Sequence, residues 1–256
     1  MNKRVRESRP SIEKRWERFR CETSPSPEAR ETGMTTPRFR DRKEAGRLLA
    51  KKLRAYAALS DVLVLALPRG GVLVGFEVAK ALHAPLDVFV VRKLGVPGEE
   101  ELAMGAITTG GVRVLNRLVV EAFGITEDQI ELVAAAEQRV LQKHELRYRS
   151  GRAAPLIRER TVVLVDDGIA TGATVRAALT ALRKQQAARL IVAVPVSPLS
   201  TVQELAAEGE EVVCLRVTES FSAISDWYQD FAQIPEEEVC VLLEEAAREC
   251  SPAGTR

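Results

Sequence analysis

Residues 162–175 read V-V-L-V-D-D-G-I-A-T-G-A-T-V, and this stretch decides the fold. Its first four residues are a short apolar run, the pattern of a strand buried on both faces of a parallel sheet. Two carboxylates, Asp166 and Asp167, stand where the run ends. Gly168, Thr171, Gly172 and Thr174 follow, and residues 177–184 are then rich in Ala and Leu, which favour helix. The order is strand, acidic pair, small-residue loop, helix.

A loop of small residues lets several backbone N–H groups converge on an anion, and the helix that follows adds its positive end. Ala170, Thr171, Gly172, Ala173 and Thr174 therefore read as a phosphate cradle. Carboxylates repel phosphate, so Asp166 and Asp167 suit sugar hydroxyls or a divalent cation instead. Phosphoribosyl pyrophosphate (PRPP) carries a phosphate at one end, vicinal hydroxyls in the middle and a cation-binding pyrophosphate, and it satisfies both halves of the stretch. Helix capping with a tight turn would explain one acid and one threonine, but requires neither the second acid nor the second threonine.

Composition narrows the classes. The chain has 256 residues, 46% hydrophobic and 29% charged, enough for one sizeable core. A net charge of +1 gives no field that would point to nucleic acid or an acidic membrane as the main partner. Cys21, Cys214, Cys240 and Cys250 are scattered without a C-x-x-C pair, and His83 and His144 lie far apart, so no zinc site or disulfide framework is suggested. No apolar run approaches the ~18 residues of a membrane span, and the basic N-terminus lacks a signal peptide's apolar core. A reduced, cytoplasmic protein is expected.

Along the chain, residues 1–37 are rich in Arg, Glu, Ser and Pro and read as a disordered basic and polar extension before a domain spanning 38–250. In residues 40–58, Ala45, Leu48, Leu49 and Leu53 share one face of a helix. Residues 62–67 form an all-apolar strand ending in Pro68, Arg69, Gly70 and Gly71, where bare amides and a guanidinium can meet phosphate oxygens. A second buried strand, 86–91, closes with Arg92 and Lys93. Residues 94–104, with Gly95, Pro97, Gly98 and three successive glutamates, read as a mobile lid. Gly110-Gly111 signals a hairpin. Asn116 caps a short helix, and Thr126 with Gln129 forms a capping box opening a helix of about six turns. Strands at 190–194 and 212–216 complete a set of five. The aromatic segment 218–234, with Phe221, Trp227, Tyr228 and Phe231, suits either stacking on a planar base or plugging the core, and 236–249 closes as an amphipathic helix.

Five apolar strands alternating with helices argue for a parallel α/β sheet, with ligands bound beyond the carboxyl ends of the strands. The 68–71 turn, the Arg92-Lys93 pair and the 166–174 loop all fall on that rim. The central stretch resembles the PRPP-binding motif of type I phosphoribosyltransferases: hydrophobic run, two acids, T-G-x-T. From Phe39 to about Glu245 the chain is similar to a group of predicted bacterial and archaeal phosphoribosyltransferases, through L-P-R-G-G-V, V-R-K-L-G-V-P, E-L-A-M-G-A, V-D-D-G-I-A-T-G-A-T and W-Y-Q-D-F.

The resemblance implies the type I fold, a parallel five-stranded Rossmann-like sheet flanked by helices, with a small hood from the C-terminal segment. It implies that Asp166 and Asp167 hold the ribose hydroxyls directly or through Mg²⁺, and that Arg69, Gly70 and Gly71 take the pyrophosphate. It further implies that residues 170–174 grip the 5-phosphate, while Arg92 and Lys93 join the acids in catalysis as the lid closes. The expected reaction moves the 5-phosphoribosyl group of Mg-PRPP to a nucleobase or related nucleophile and releases pyrophosphate. The alternative is a PRPP-sensing regulator without catalysis. A homodimer is the default assembly.

Overall fold

The structure, a computed structural model, describes residues 22–23 and 37–250. The reading of 1–37 as a disordered extension therefore falls almost wholly outside the described residues. Strands β1 (Glu22–Thr23), β2 (Val62–Ala66), β3 (Leu86–Val88), β7 (Thr161–Val165), β8 (Arg189–Pro198) and β9 (Glu211–Thr218) form a six-stranded sheet in the order β1-β9-β8-β7-β2-β3. Every pairing in it is parallel. The five strands legible in the sequence are its five long members, with the two-residue β1 added at the β9 edge.

Strand alternation sorts the core into two layers. Val62, Val64 and Ala66 of β2 and Val163 and Val165 of β7 face one layer, together with helices α1 (Arg42–Lys52), α2 (Gly70–Leu82), α4 (Glu127–Arg149) and α7 (Glu236–Cys250). Leu63 and Leu65 of β2 and Val162 and Leu164 of β7 face the other, which α5 (Ala173–Lys184) and α6 (Leu199–Ala207) cover. The short α3 (Arg117–Ala122) has Asn116 at its N-cap, and α4 opens with the Thr126–Gln129 capping box, both as expected.

Residues 94–104, expected to be too polar to pack, are a packed β-hairpin. Strands β4 (Val91–Val96), β5 (Glu99–Thr108) and β6 (Arg113–Leu115) make a separate antiparallel sheet, and Leu94, Val96 and Met104 are buried in it. The three glutamates that made the segment look unpackable are all exposed, next to the turn. The apolar run 86–91 also divides here: β3 stays in the large sheet, and the chain leaves it to start β4. Two hydrogen bonds between Val90 and Thr109, each 2.8 Å, fix the junction. A continuous apolar run carries no periodicity that marks such a change of sheet.

Candidate active site

Chain order places a crevice. From β2 the chain steps outward to β3, passes through the small sheet, and returns on the other side of β2 as β7. At such a reversal the loops leaving two adjacent strands diverge and open a cleft beyond their carboxyl ends. The 68–71 turn leaves β2 and the acidic loop leaves β7, and these strands are paired residue for residue from Val62–Thr161 to Ala66–Val165. Leu67 extends the pairing by donating its N–H to the Val165 carbonyl at 2.9 Å.

The glycines allow the two loops to touch. A Cβ on Gly70 would lie 1.9 Å from Asp167 Oδ2, and one on Gly71 would lie 2.9 Å from the Val165 carbonyl and 3.0 Å from Asp166 Cα. The backbone of the turn can approach the acids only without side chains. The Pro68–Arg69 peptide is cis, and Arg69 is partly exposed at the head of α2.

The two acids occupy different environments, because alternation continues past the end of β7. Asp167 turns to the α1 layer, where its carboxylate is buried and accepts from Arg42 Nε at 2.7 Å. Its carbonyl accepts from the Tyr228 hydroxyl at 2.6 Å. Asp166 stays partly exposed toward the crevice, with Oδ1 accepting from the Asp167 N–H at 2.8 Å. Surrounding protein and then the charge of Asp167 push the Asp166 pKa well above its ordinary value. The sequence reading gave the acids one shared role at the sugar or metal; the side-chain geometry divides them.

Beyond the acids, Gly172 takes a left-handed conformation (φ +76°) and starts α5, leaving Ala170, Thr171, Ala173 and Thr174 exposed at the helix N-terminus. The loop is braced from behind. Thr201 of α6 donates to the Ala170 carbonyl at 2.8 Å, and Arg176 donates to the Thr171 carbonyl at 2.8 Å while ion-paired with Glu204 and Glu208. Within the loop the Ala173 amide donates to the Thr171 hydroxyl at 3.5 Å.

Gly168 sits under the C-terminal segment: a Cβ there would be 2.7 Å from Ile224 Cγ2 and 3.1 Å from Val196 Cγ1. Gly168→Ala is expected to cost about 1–3 kcal/mol of stability from overpacking, read from the urea midpoint; an unchanged midpoint would show that the segment does not press on the loop.

Residues 218–234 form the hood. Tyr228 stacks between Phe39 and Phe231, with ring centroids 5.4 and 5.0 Å away, and Phe231 lies 3.7 Å under the Arg42 guanidinium. These rings serve the floor of the acidic loop, so for Tyr228 and Phe231 the packing role holds over stacking on a base. Arg92 and Lys93 lie on β4, each tied within the small sheet and its covering helix: Arg92 pairs with Glu137 of α4 at 2.7 Å, and Lys93 with Glu101 across the hairpin at 3.4 Å. They line a cleft of about 420 Å³ with Gly95, Pro97 and Val133.

Arg42, Arg176 and Thr201 escaped the sequence reading, which had named Tyr228 only as one ring of the aromatic segment. One signal was present for two of them: Arg42 and Arg176 sit in the first turn of a helix, where a cation opposes the helix dipole and needs an anion or carbonyl close by. Thr201 left no local mark.

Among the described residues no three His, Cys, Asp or Glu side chains cluster as a metal cage. One open carboxylate at Asp166 fits a Mg²⁺ ion that keeps most of its water and takes its other ligands from substrate phosphates. No described helix is long and apolar enough to cross a membrane.

Comparison with known proteins agrees with this geometry. A crystal structure of TT1426 from Thermus thermophilus superposes with a TM-score of 0.72 at 44% identity, over 81% of this chain and 98% of that one. Two Mycobacterium tuberculosis proteins, named "Putative phosphoribosyl transferase Rv0571c" and "Putative phosphoribosyl transferase MT0597", are 46% identical over 216 residues, 84% of this chain. The chain spans about half the length of these curated relatives, 48%. Residues 40–228, which hold the glycine turn, both acids and the small-residue loop, match the phosphoribosyl transferase domain family, and the chain belongs to that family.

Proposed function

We propose that the protein binds Mg-PRPP across the crevice and transfers its 5-phosphoribosyl group to a nucleobase or related nucleophile, releasing pyrophosphate, as a cytoplasmic enzyme of nucleotide metabolism. One observation supports this above others: a glycine turn pressed against an acidic pair, beside a small-residue loop at a helix N-terminus, all at the sheet's reversal point.

Breaking the bond between the anomeric carbon and pyrophosphate builds positive charge on the sugar ring and negative charge on the leaving group, so both must be stabilised. Thr171, Gly172, Ala173 and Thr174 hold the 5-phosphate through amides and hydroxyls, fixing the ribose. Asp166 faces the sugar's diol and favours the cationic ring. Arg69 and the amides of Gly70 and Gly71 take the departing pyrophosphate. A Mg²⁺ held by Asp166 through water would neutralise part of the pyrophosphate charge. Arg92 and Lys93 lie on the hairpin and serve the acceptor side. Asp167 contributes through the position it gives its neighbour.

Calorimetric titration with PRPP and Mg²⁺ should show saturable heat, and a pyrophosphate-release assay across purines, pyrimidines and amines should identify the acceptor. No heat and no release would defeat the reading. Thr171→Val should weaken PRPP binding by ~1.5–3 kcal/mol, the worth of one hydrogen bond to a charged group, and unchanged affinity would remove Thr171 from the cradle.

A further inference from the structure

We infer that Arg42 is a positioning residue for the pyrophosphate half of the ligand, an inference that rests on the PRPP reading. Arg42 lies on α1, far in sequence from every motif of the site, yet it is buried at the point where four segments meet. Its Nε donates to Asp167 Oδ2 at 2.7 Å. The same nitrogen would be 3.0 Å from a Cβ on Gly70, so the guanidinium lies directly against the glycine turn. Its Nη1 donates to the Ala232 carbonyl at 3.0 Å, and the Phe231 ring covers one face. One side chain thereby sets the spacing between the turn that receives pyrophosphate and the loop that carries Asp166.

The phosphate loop has a separate brace, Arg176 with Thr201, so the two halves of the crevice are held by different residues. Arg42 should therefore matter to a ligand that spans both halves and not to one that fills only the phosphate loop. A guanidinium is suited to this task because its flat fork bonds along its edge while its face stacks, and a lysine ammonium cannot do both.

The molecule contains its own control. Arg149 of α4 pairs with Asp87 of β3 at 2.9 Å, and both are as buried as Arg42 and Asp167, but Arg149 bonds to Asp87, Glu145 and the Val88 carbonyl rather than to the glycine turn or the acidic loop. Wild type, Arg42→Lys and Arg149→Lys would be titrated by calorimetry with PRPP and with ribose 5-phosphate, both with Mg²⁺, alongside thermal unfolding. Arg42→Lys should raise the PRPP Kd about tenfold or more, within the range seen when a residue supporting a ligand-binding group is lost, with the ribose 5-phosphate Kd unchanged. Arg149→Lys should lower the Tm and change neither Kd.

Phe231→Leu, which removes the ring beneath the guanidinium and no charge, should show the same selectivity at smaller amplitude, and it serves if Arg42→Lys does not fold. Equal loss of both ligands, no loss of PRPP affinity, or the same selective loss in Arg149→Lys would overturn the inference. Wild type giving no heat with PRPP would instead defeat the proposed function, and this inference with it.

Discussion

Asp167→Ala is expected to destabilise the protein by about 3–5 kcal/mol, the cost of leaving one partner of a buried ion pair uncompensated. The reason lies in what remains after the change. Arg42 would keep its charge in a site only 8% exposed, with an aromatic face beneath it and its hydrogen-bonded carboxylate gone. Removing both charges together should be much milder, because a buried pair replaced by apolar groups of similar volume is often neutral. The urea midpoint of Asp167→Ala, Arg42→Met and the double variant tests this directly. Should Asp167→Ala unfold at the wild-type midpoint, the pair would be no more than a surface contact. The prediction also alters what a mutation of both acids would report, since lost turnover in Asp166→Asn with Asp167→Asn mixes chemistry with a disturbed fold.

Asp166→Asn should behave in the opposite way, lowering PRPP-dependent turnover by about a hundred- to a thousandfold while holding or raising stability. Its raised pKa means that the folded protein favours the protonated acid over the charged one. Stability linked to Asp166 is therefore fully present below the ordinary value of 3.8 and is lost as pH rises from there through the folded-state value. Asparagine keeps the acceptor for the Asp167 N–H and never ionises. In chelator-containing buffer the variant's advantage should be absent at acid pH and grow toward neutrality. Thermal unfolding across that range measures it, and a constant difference at all pH values would remove Asp166 as its source. A carboxylate kept where its charge costs stability fits a group whose charge is used once a cationic ligand or a developing cation arrives.

Much of this was legible in the sequence for a simple reason. The motifs proposed to bind ligand are local: a strand end, two acids and a small-residue loop lie within one stretch, and the backbone alone brings the 68–71 turn beside them once β2 and β7 pair. The alternation that buries Val163 and Val165 in one layer and Val162 and Leu164 in the other also foretells that Asp166 and Asp167 leave the strand toward opposite layers, though their carboxyls stay close enough to interact. That adjacent acids at a strand end leave it toward opposite sides, and so share one metal poorly, was legible from the sequence, although the motif gave both one role. What stayed hidden was long-range. Arg42 and Asp167 are separated by 125 positions, and Tyr228 meets Asp167 across 61. No periodicity encodes either meeting. The hairpin at 94–104 was missed because polar residues near its turn masked the apolar ones, and only cross-strand pairing shows that Leu94 and Met104 share an interior.

The Ile169 amide, although it belongs to the acidic loop, is bonded to the Val196 carbonyl of β8 at 2.9 Å, as Leu67 is bonded to Val165. The sheet's ladder thus reaches several residues past the formal end of β7, and the freedom of the loop's root is surrendered when the chain folds. The sugar phosphate proposed for this loop would meet a frame already set and lose little affinity to ordering it.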